Sequence, residues 1–135
     1  MGRAKLTPEE KAALEARLQE SERIQGEEAV LAQVKGWPEP DRSLFLELHA
    51  LVRTEAPALT PRVWYGMPAY AEKARVLCFF QPAHKFKTRY ATLGFTDRAR
   101  LDEGHFWPVA FALTRLTPEE AARIRALLRR ALGGE

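Results

Sequence analysis

Three large aromatic rings, a thioether and two backbone punctuators fall within seven consecutive positions, Trp64-Tyr65-Gly66-Met67-Pro68-Ala69-Tyr70. Gly66 takes positive φ without steric penalty, while Pro68 fixes its own φ and pushes Met67 toward an extended conformation. The chain is therefore expected to turn here and then run extended. Rings with polar handles belong where an apolar body meets water or a ligand, so the stretch reads either as a pocket lining or as a domain corner whose aromatics are core. Further on, Lys85, Lys87 and Arg89 alternate with Phe86, Thr88 and Tyr90, which predicts a strand over this stretch with its cations on one side. Those cations, taken with Trp64, Tyr65, Met67, Tyr70 and Trp107, form the candidate ligand-binding set. Flat rings beside cations suit an acidic or aromatic small molecule, an acidic peptide or, weakly, a nucleic acid. A solvated strand face that discourages edge pairing has the same pattern.

A second constellation, Asp97, Asp102, Glu103 and His105, is close in sequence and oxygen-rich, and Asp102, Glu103 and His105 are the residues an iron or metal site would use. Helix capping and a loop account for the same residues. Cys78 is the one cysteine, which excludes an internal disulfide and a multi-cysteine zinc site. Its apolar neighbours predict a raised thiol pKa and an inert side chain. Ser21 and Ser43 are the only serines, and neither lies in a Gly-x-Ser-x-Gly elbow; a phosphate-binding glycine loop and a His-Glu-x-x-His helix are also missing. His49 lies beside an apolar helical stripe with no second ligand at helical spacing, and reads as structural or solvated. No residue stands out as catalytic, and no cofactor is expected apart from the iron alternative.

The elements that would carry these residues are legible from periodicity. Thr7-Pro8-Glu9-Glu10 is an N-cap, a proline at the first helical position and a capping-box glutamate, so a helix should start at Pro8. Its stripe is thin, and Gly26 is expected to break it before a second helix over Glu27 to Lys35. Leu44, Phe45, Leu48, Leu51 and Val52 follow the spacing of a helix buried along one face. Val76-Leu77-Cys78-Phe79-Phe80 reads as a central strand covered on both faces. Val109, Phe111 and Leu113 alternate as another strand, and Thr117-Pro118-Glu119-Glu120 opens a last helix with Ile124, Leu127, Leu128 and Ala131 inward. The fold class is α+β: a curved antiparallel sheet of about four to five strands, packed by N-terminal helices and one C-terminal helix. Residues 1–26 are expected to form a charged helical extension, and 27–135 the α+β domain.

At 135 residues with net charge +3, the chain suits one core and is only mildly basic, which disfavours a dedicated nucleic-acid binder. No apolar run approaches a membrane span and the charged first residues do not resemble a signal peptide, so a soluble cytoplasmic protein is expected. Oligomeric state is open at this level.

The order Trp64-Tyr65-Gly66-Met67-Pro68-Ala69-Tyr70, Val76-Leu77-Cys78-Phe79-Phe80, Lys85-Phe86, Arg89-Tyr90-Ala91-Thr92, Leu101-Asp102-Glu103-Gly104 and Trp107-Pro108 resembles the YdhG-like family of small bacterial domains, most of unknown function. The resemblance runs from about Glu27 to Leu132. It implies a compact α+β domain with a curved antiparallel sheet packed by helices, and the family includes a frataxin-like iron chaperone. The functional expectation is a binding or accessory domain for an acidic or aromatic small ligand or a protein partner. An iron or metal chaperone is the alternative, and an enzyme a third class.

Overall fold

Capping chemistry sets the first helix in place, and a computed structural model describing residues 5–134 shows how far it runs. Thr7 and Glu10 form the reciprocal capping box, and α1 continues unbroken over Pro8–Lys35. The expected break at Gly26 does not occur, so the expected boundary between residues 1–26 and 27–135 falls inside one helix. The reason is packing: a Cβ at position 26 would overlap the Pro61 carbonyl oxygen. Glycine costs a helix up to about 1 kcal/mol, and here its missing side chain lets the helix lie directly on a strand.

Helix α2 (Asp41–Glu55) buries the predicted stripe of Leu44, Phe45, Leu48, Leu51 and Val52, together with His49. Five strands follow in spatial order equal to sequence order: β1 (Thr60–Trp64), β2 (Met67–Glu72), β3 (Arg75–Gln81), β4 (Ala91–Phe95) and β5 (Ala110–Leu113). All neighbours are antiparallel and the sheet does not close, which gives the α+β architecture with a curved open sheet. The aromatic stretch makes the β1–β2 hairpin. Tyr65 and Gly66, with φ of 49° and 75°, are a two-residue loop of the primed kind that matches strand twist. Pro61 and Arg62, just before the aromatic stretch, belong to strand β1.

The predicted strand through Lys85, Lys87 and Arg89 is a correction. Ala83–Phe86 is a single helical turn, α3, which ends at Lys87 in the left-handed conformation, and pairing resumes only at Ala91. The three cations therefore do not share a strand face. Helix α4 (Pro118–Ala131) starts with its own capping box and buries Ile124, Leu128 and Ala131.

The core lies between α2, α4 and the helix-facing side of the sheet. Phe80 is central to it, stacked on Trp37 and tilted against Phe45. On the other side of the sheet Phe79 lies across Gly94, where a Cβ would overlap its ring. Gly26→Ala is expected to lower stability by about 1–3 kcal/mol, as overpacking against backbone does, although alanine is the better helix former. Gly36→Ala is the control, since nothing approaches a Cβ there. Equal melting of both variants would show that the α1–β1 approach has slack.

Candidate functional site

Strand alternation divides the aromatic set. Trp64 opposes Met67 across the hairpin and packs on Tyr65 and Phe79, with ring centroids 4.8 and 5.3 Å apart. Tyr65 itself is 82% exposed at the tip, while Met67 is buried. Tyr70 pairs with Cys78 in register and points to the helices, where it is 1% exposed. Trp107 packs half-buried against the core. Of the three cations, Lys85 reaches the hairpin: its Nζ donates to the Gly66 carbonyl at 2.6 Å, which also accepts from Gln33 Nε2 at 2.7 Å. Arg89 lies over the ring of its own neighbour Tyr90 and Lys87 caps α3. Asp102, Glu103 and His105 share one loop, yet among the described residues no three His, Cys, Asp or Glu side chains converge as a metal site would require. Asp97 is no exception.

The residues that do converge lie beneath Tyr70. Its hydroxyl is 2.8 Å from His49 Nδ1, and His49 is 5% exposed. The two rings stack at 5.8 Å, and Phe45 stacks on the other side of the imidazole at 5.6 Å. Glu27, one residue beyond the close approach at Gly26, brings Oε1 within 3.8 Å of His49 Nε2 and accepts from Arg53 Nη1 at 2.8 Å. A run Tyr70–His49–Glu27–Arg53 thus leads from the core to the surface. One atom in it lacks a close partner: among the described residues His49 Nε2 is buried and meets only the Glu27 carboxylate, at 3.8 Å.

The charge state follows from burial. Burial, aided by Cys78 and Glu27, holds the Tyr70 phenol well above its usual pKa, so it stays protonated and must donate. His49 Nδ1 is the acceptor it meets. The imidazole proton is then on Nε2, pointing toward Glu27. Burial also lowers the His49 pKa, opposed by the Glu27 carboxylate and reinforced by Arg53, so the ring is neutral at pH 7. Cys78 beneath the same sheet face is pushed up to about 12 by burial, in line with an inert thiol.

Above this run a cleft of about 390 Å³ opens between α1, α2 and the segment leading into β1. Its walls are Ile24, Leu31, Val52, Pro57 and Leu59, and Tyr70 and Glu27 border it. Arg23 crosses one end, donating to the Pro57 carbonyl at 3.0 Å and pairing with Glu20. The volume lies within the range of small-molecule sites, and Glu20, Arg23, Glu28 and Arg53 add charged groups to its lining. From sequence His49 reads as structural or solvated, and no spacing marks Glu27, Arg23 or Arg53. The available signal was His49's place beside Leu48 on the buried stripe of α2.

A second polar pair stands apart from the cleft. Asp41 is buried and its Oδ2 accepts from the backbone N–H of His84 at 2.8 Å and lies 2.5 Å from its ring Nδ1, tying α3 to the start of α2. Trp37 packs on the His84 ring edge at 5.5 Å.

The chain matches no protein-family model, no curated protein and no solved structure.

Tyr70→Phe should cost about 1–3 kcal/mol, because it leaves His49 Nδ1 buried without its donor, and Tyr70→Ala about 3–5 kcal/mol through the cavity. A pH effect accompanies it. The folded imidazole has the lower pKa, so the unfolded chain takes the proton first; stability is full above about pH 6.5 and is lost as the pH falls below it. The melting temperature should drop from about pH 7.5 to about pH 5.5 in the wild type and change less in His49→Gln. Glu10, Glu39 and Glu120, held low by hydrogen bonds from Thr7, Ser43 and Thr117, act only below about pH 4.5. Identical pH profiles for the two proteins would contradict the neutral buried imidazole.

Proposed function

We infer that the protein is a small-molecule-binding domain whose ligand enters the α1–α2 cleft with an apolar, aliphatic or aromatic body and presents a hydroxyl at Glu27, the cleft-lining carboxylate 3.8 Å from His49 Nε2. The observation that carries this reading is the unpartnered, buried Nε2 of His49 at 3.8 Å from Glu27. An unmet donor of this kind costs about 1–3 kcal/mol, and a hydroxyl is the group that accepts from Nε2–H while donating to the Glu27 carboxylate. The walls supply the rest of the affinity by burying the ligand's apolar body.

Charge favours a neutral ligand over an acidic one. Glu20, Glu27 and Glu28 border the cleft against Arg23 and Arg53, and both arginines already pair with a carboxylate. The tautomer favours binding over general-base catalysis, since Nε2 offers a donor where a base would need a lone pair. The iron-handling alternative that the YdhG-like resemblance implies has no converging cluster to rest on among the described residues. Lys85, Tyr65 and Trp64 at the hairpin tip remain the candidates for contact with a protein partner.

Screening the wild type with small phenols and aliphatic alcohols by thermal shift and amide NMR is expected to give hits that move resonances of Ile24, Leu31 and His49. Ile24 is half exposed on the cleft wall, so Ile24→Trp fills the cleft without entering the core. The hits should fail in Ile24→Trp, and the same compounds without the hydroxyl should bind at least about tenfold more weakly, the equivalent of one hydrogen bond. Binding that is unchanged in Ile24→Trp would reject the cleft as the site.

A further inference from the structure

The two edges of the sheet are treated differently. Strand β1 has α1 laid along it: Gly26 meets the Pro61 carbonyl and Gln33 reaches Gly66. It also contains Pro61, which has no N–H to offer, and the charged Arg62. Strand β5 is short, four residues, and among the described residues it has no helix laid along it. Its residues Ala110-Phe111-Ala112-Leu113 carry no charge and no proline, and Ala110 and Ala112 are exposed. Natural edges of this kind are normally blocked by lysine, proline, a bulge or a covering segment.

The hydrogen-bond phase shows which backbone groups face out. Phe95 N–H donates to the Val109 carbonyl at 2.7 Å, and the register continues through Leu93 with Phe111 and Ala91 with Leu113. Antiparallel pairing alternates, so Phe111 and Leu113 bond inward to β4 while the N–H and C=O of Ala110 and Ala112 point away from the sheet. Beside this edge, Phe111, Leu113, Ile124 and Leu127 line an apolar groove of about 180 Å³ between β5 and α4. Phe106, 95% exposed, and Val109 stand just before the strand.

We propose that this edge is the interface of a two-fold homodimer, in which β5 pairs antiparallel with β5 of a second copy to continue the sheet. With Phe111 at the axis, Ala110 of one copy lies opposite Ala112 of the other, and each such pair exchanges both N–H···O=C bonds. The occupant is a second copy because of charge. The groove carries one charge of each sign from α4, Glu120 and, one turn on, Arg123. A two-fold axis through β5 sets the two α4 helices antiparallel across the groove, so Glu120 of each copy is directed toward Arg123 of the other. A partner in parallel orientation would set like charges together. The face is self-complementary in backbone, in apolar surface and in charge.

Sedimentation equilibrium over a wide concentration range tests it, with the chain mass of 15.3 kDa as the monomer reference. The wild type is expected to approach twice that mass as concentration rises. Ala112→Pro removes only an outward N–H, and Ala112→Lys places a charge on the edge; both should stay monomeric while keeping the wild-type circular dichroism. Should either variant fail to fold, amide exchange on the wild type decides alone: Ala110 and Ala112 N–H groups become protected at high concentration and exchange freely at low concentration. A wild type monomeric throughout, including one that pairs only with another protein, or a dimer that persists in Ala112→Pro with those amides unprotected, would overturn the proposal.

Discussion

The seating of α1 on β1 at Gly26 is the contact on which the other features depend. With no side chain at that position the helix backbone rests against the Pro61 carbonyl, and the long helix is carried past the sheet edge. Everything downstream of this contact is positional. The next residue, Glu27, is delivered beside His49; Gln33, two turns on, reaches the hairpin loop; and Arg23, a turn before, donates to Pro57. The cleft is the space left between α1 and α2 once that seating is made, and the covered β1 edge is its other product.

A core that encloses a tyrosine, a histidine and a cysteine must keep them neutral, and this one does so by burial and pairing. Tyr70 keeps its proton and hydrogen-bonds it to Nδ1, Cys78 holds its own, and the imidazole resists a second proton even with Glu27 nearby. The Glu27 charge is met by Arg53 at the surface, where solvent shares the cost. The one unmet demand is the Nε2 proton. Stability alone would be served as well by apolar residues of similar volume at positions 49 and 70 together, since removing both partners of a buried hydrogen bond is often nearly neutral. Its retention beside a cleft is what makes the site chemically specific.

The sequence was most informative where one physical signal dominated. The stripe from Leu44 to Val52, the apolar run from Val76 to Phe80, the alternation from Val109 to Leu113 and the two Thr-Pro-Glu-Glu caps each read directly as the elements found. The turn at Tyr65-Gly66 was equally plain from Gly66 and Pro68. Reading failed where a residue had two physical uses. Gly26 looked like a helix breaker, because local propensity does not register that a strand backbone will come so near. Lys85 to Tyr90 alternated as a strand does, and tertiary context took one helical turn from it through the left-handed Lys87. The site was hidden for a related reason: Glu27, His49 and Tyr70 lie on three different elements, and no spacing within one element announces them.

His49 stands neutral in the core with its proton on Nε2, directed at Glu27 on the border of the cleft. Nitrogen-15 NMR of the imidazole in the intact wild-type protein tests this directly, because the two tautomers and the imidazolium differ in their ring-nitrogen shifts. The account predicts a protonated Nε2, an unprotonated Nδ1 shifted by the Tyr70 hydrogen bond, and a titration midpoint below the ordinary histidine value of 6.5. A proton on Nδ1, or a midpoint above that value, would contradict it.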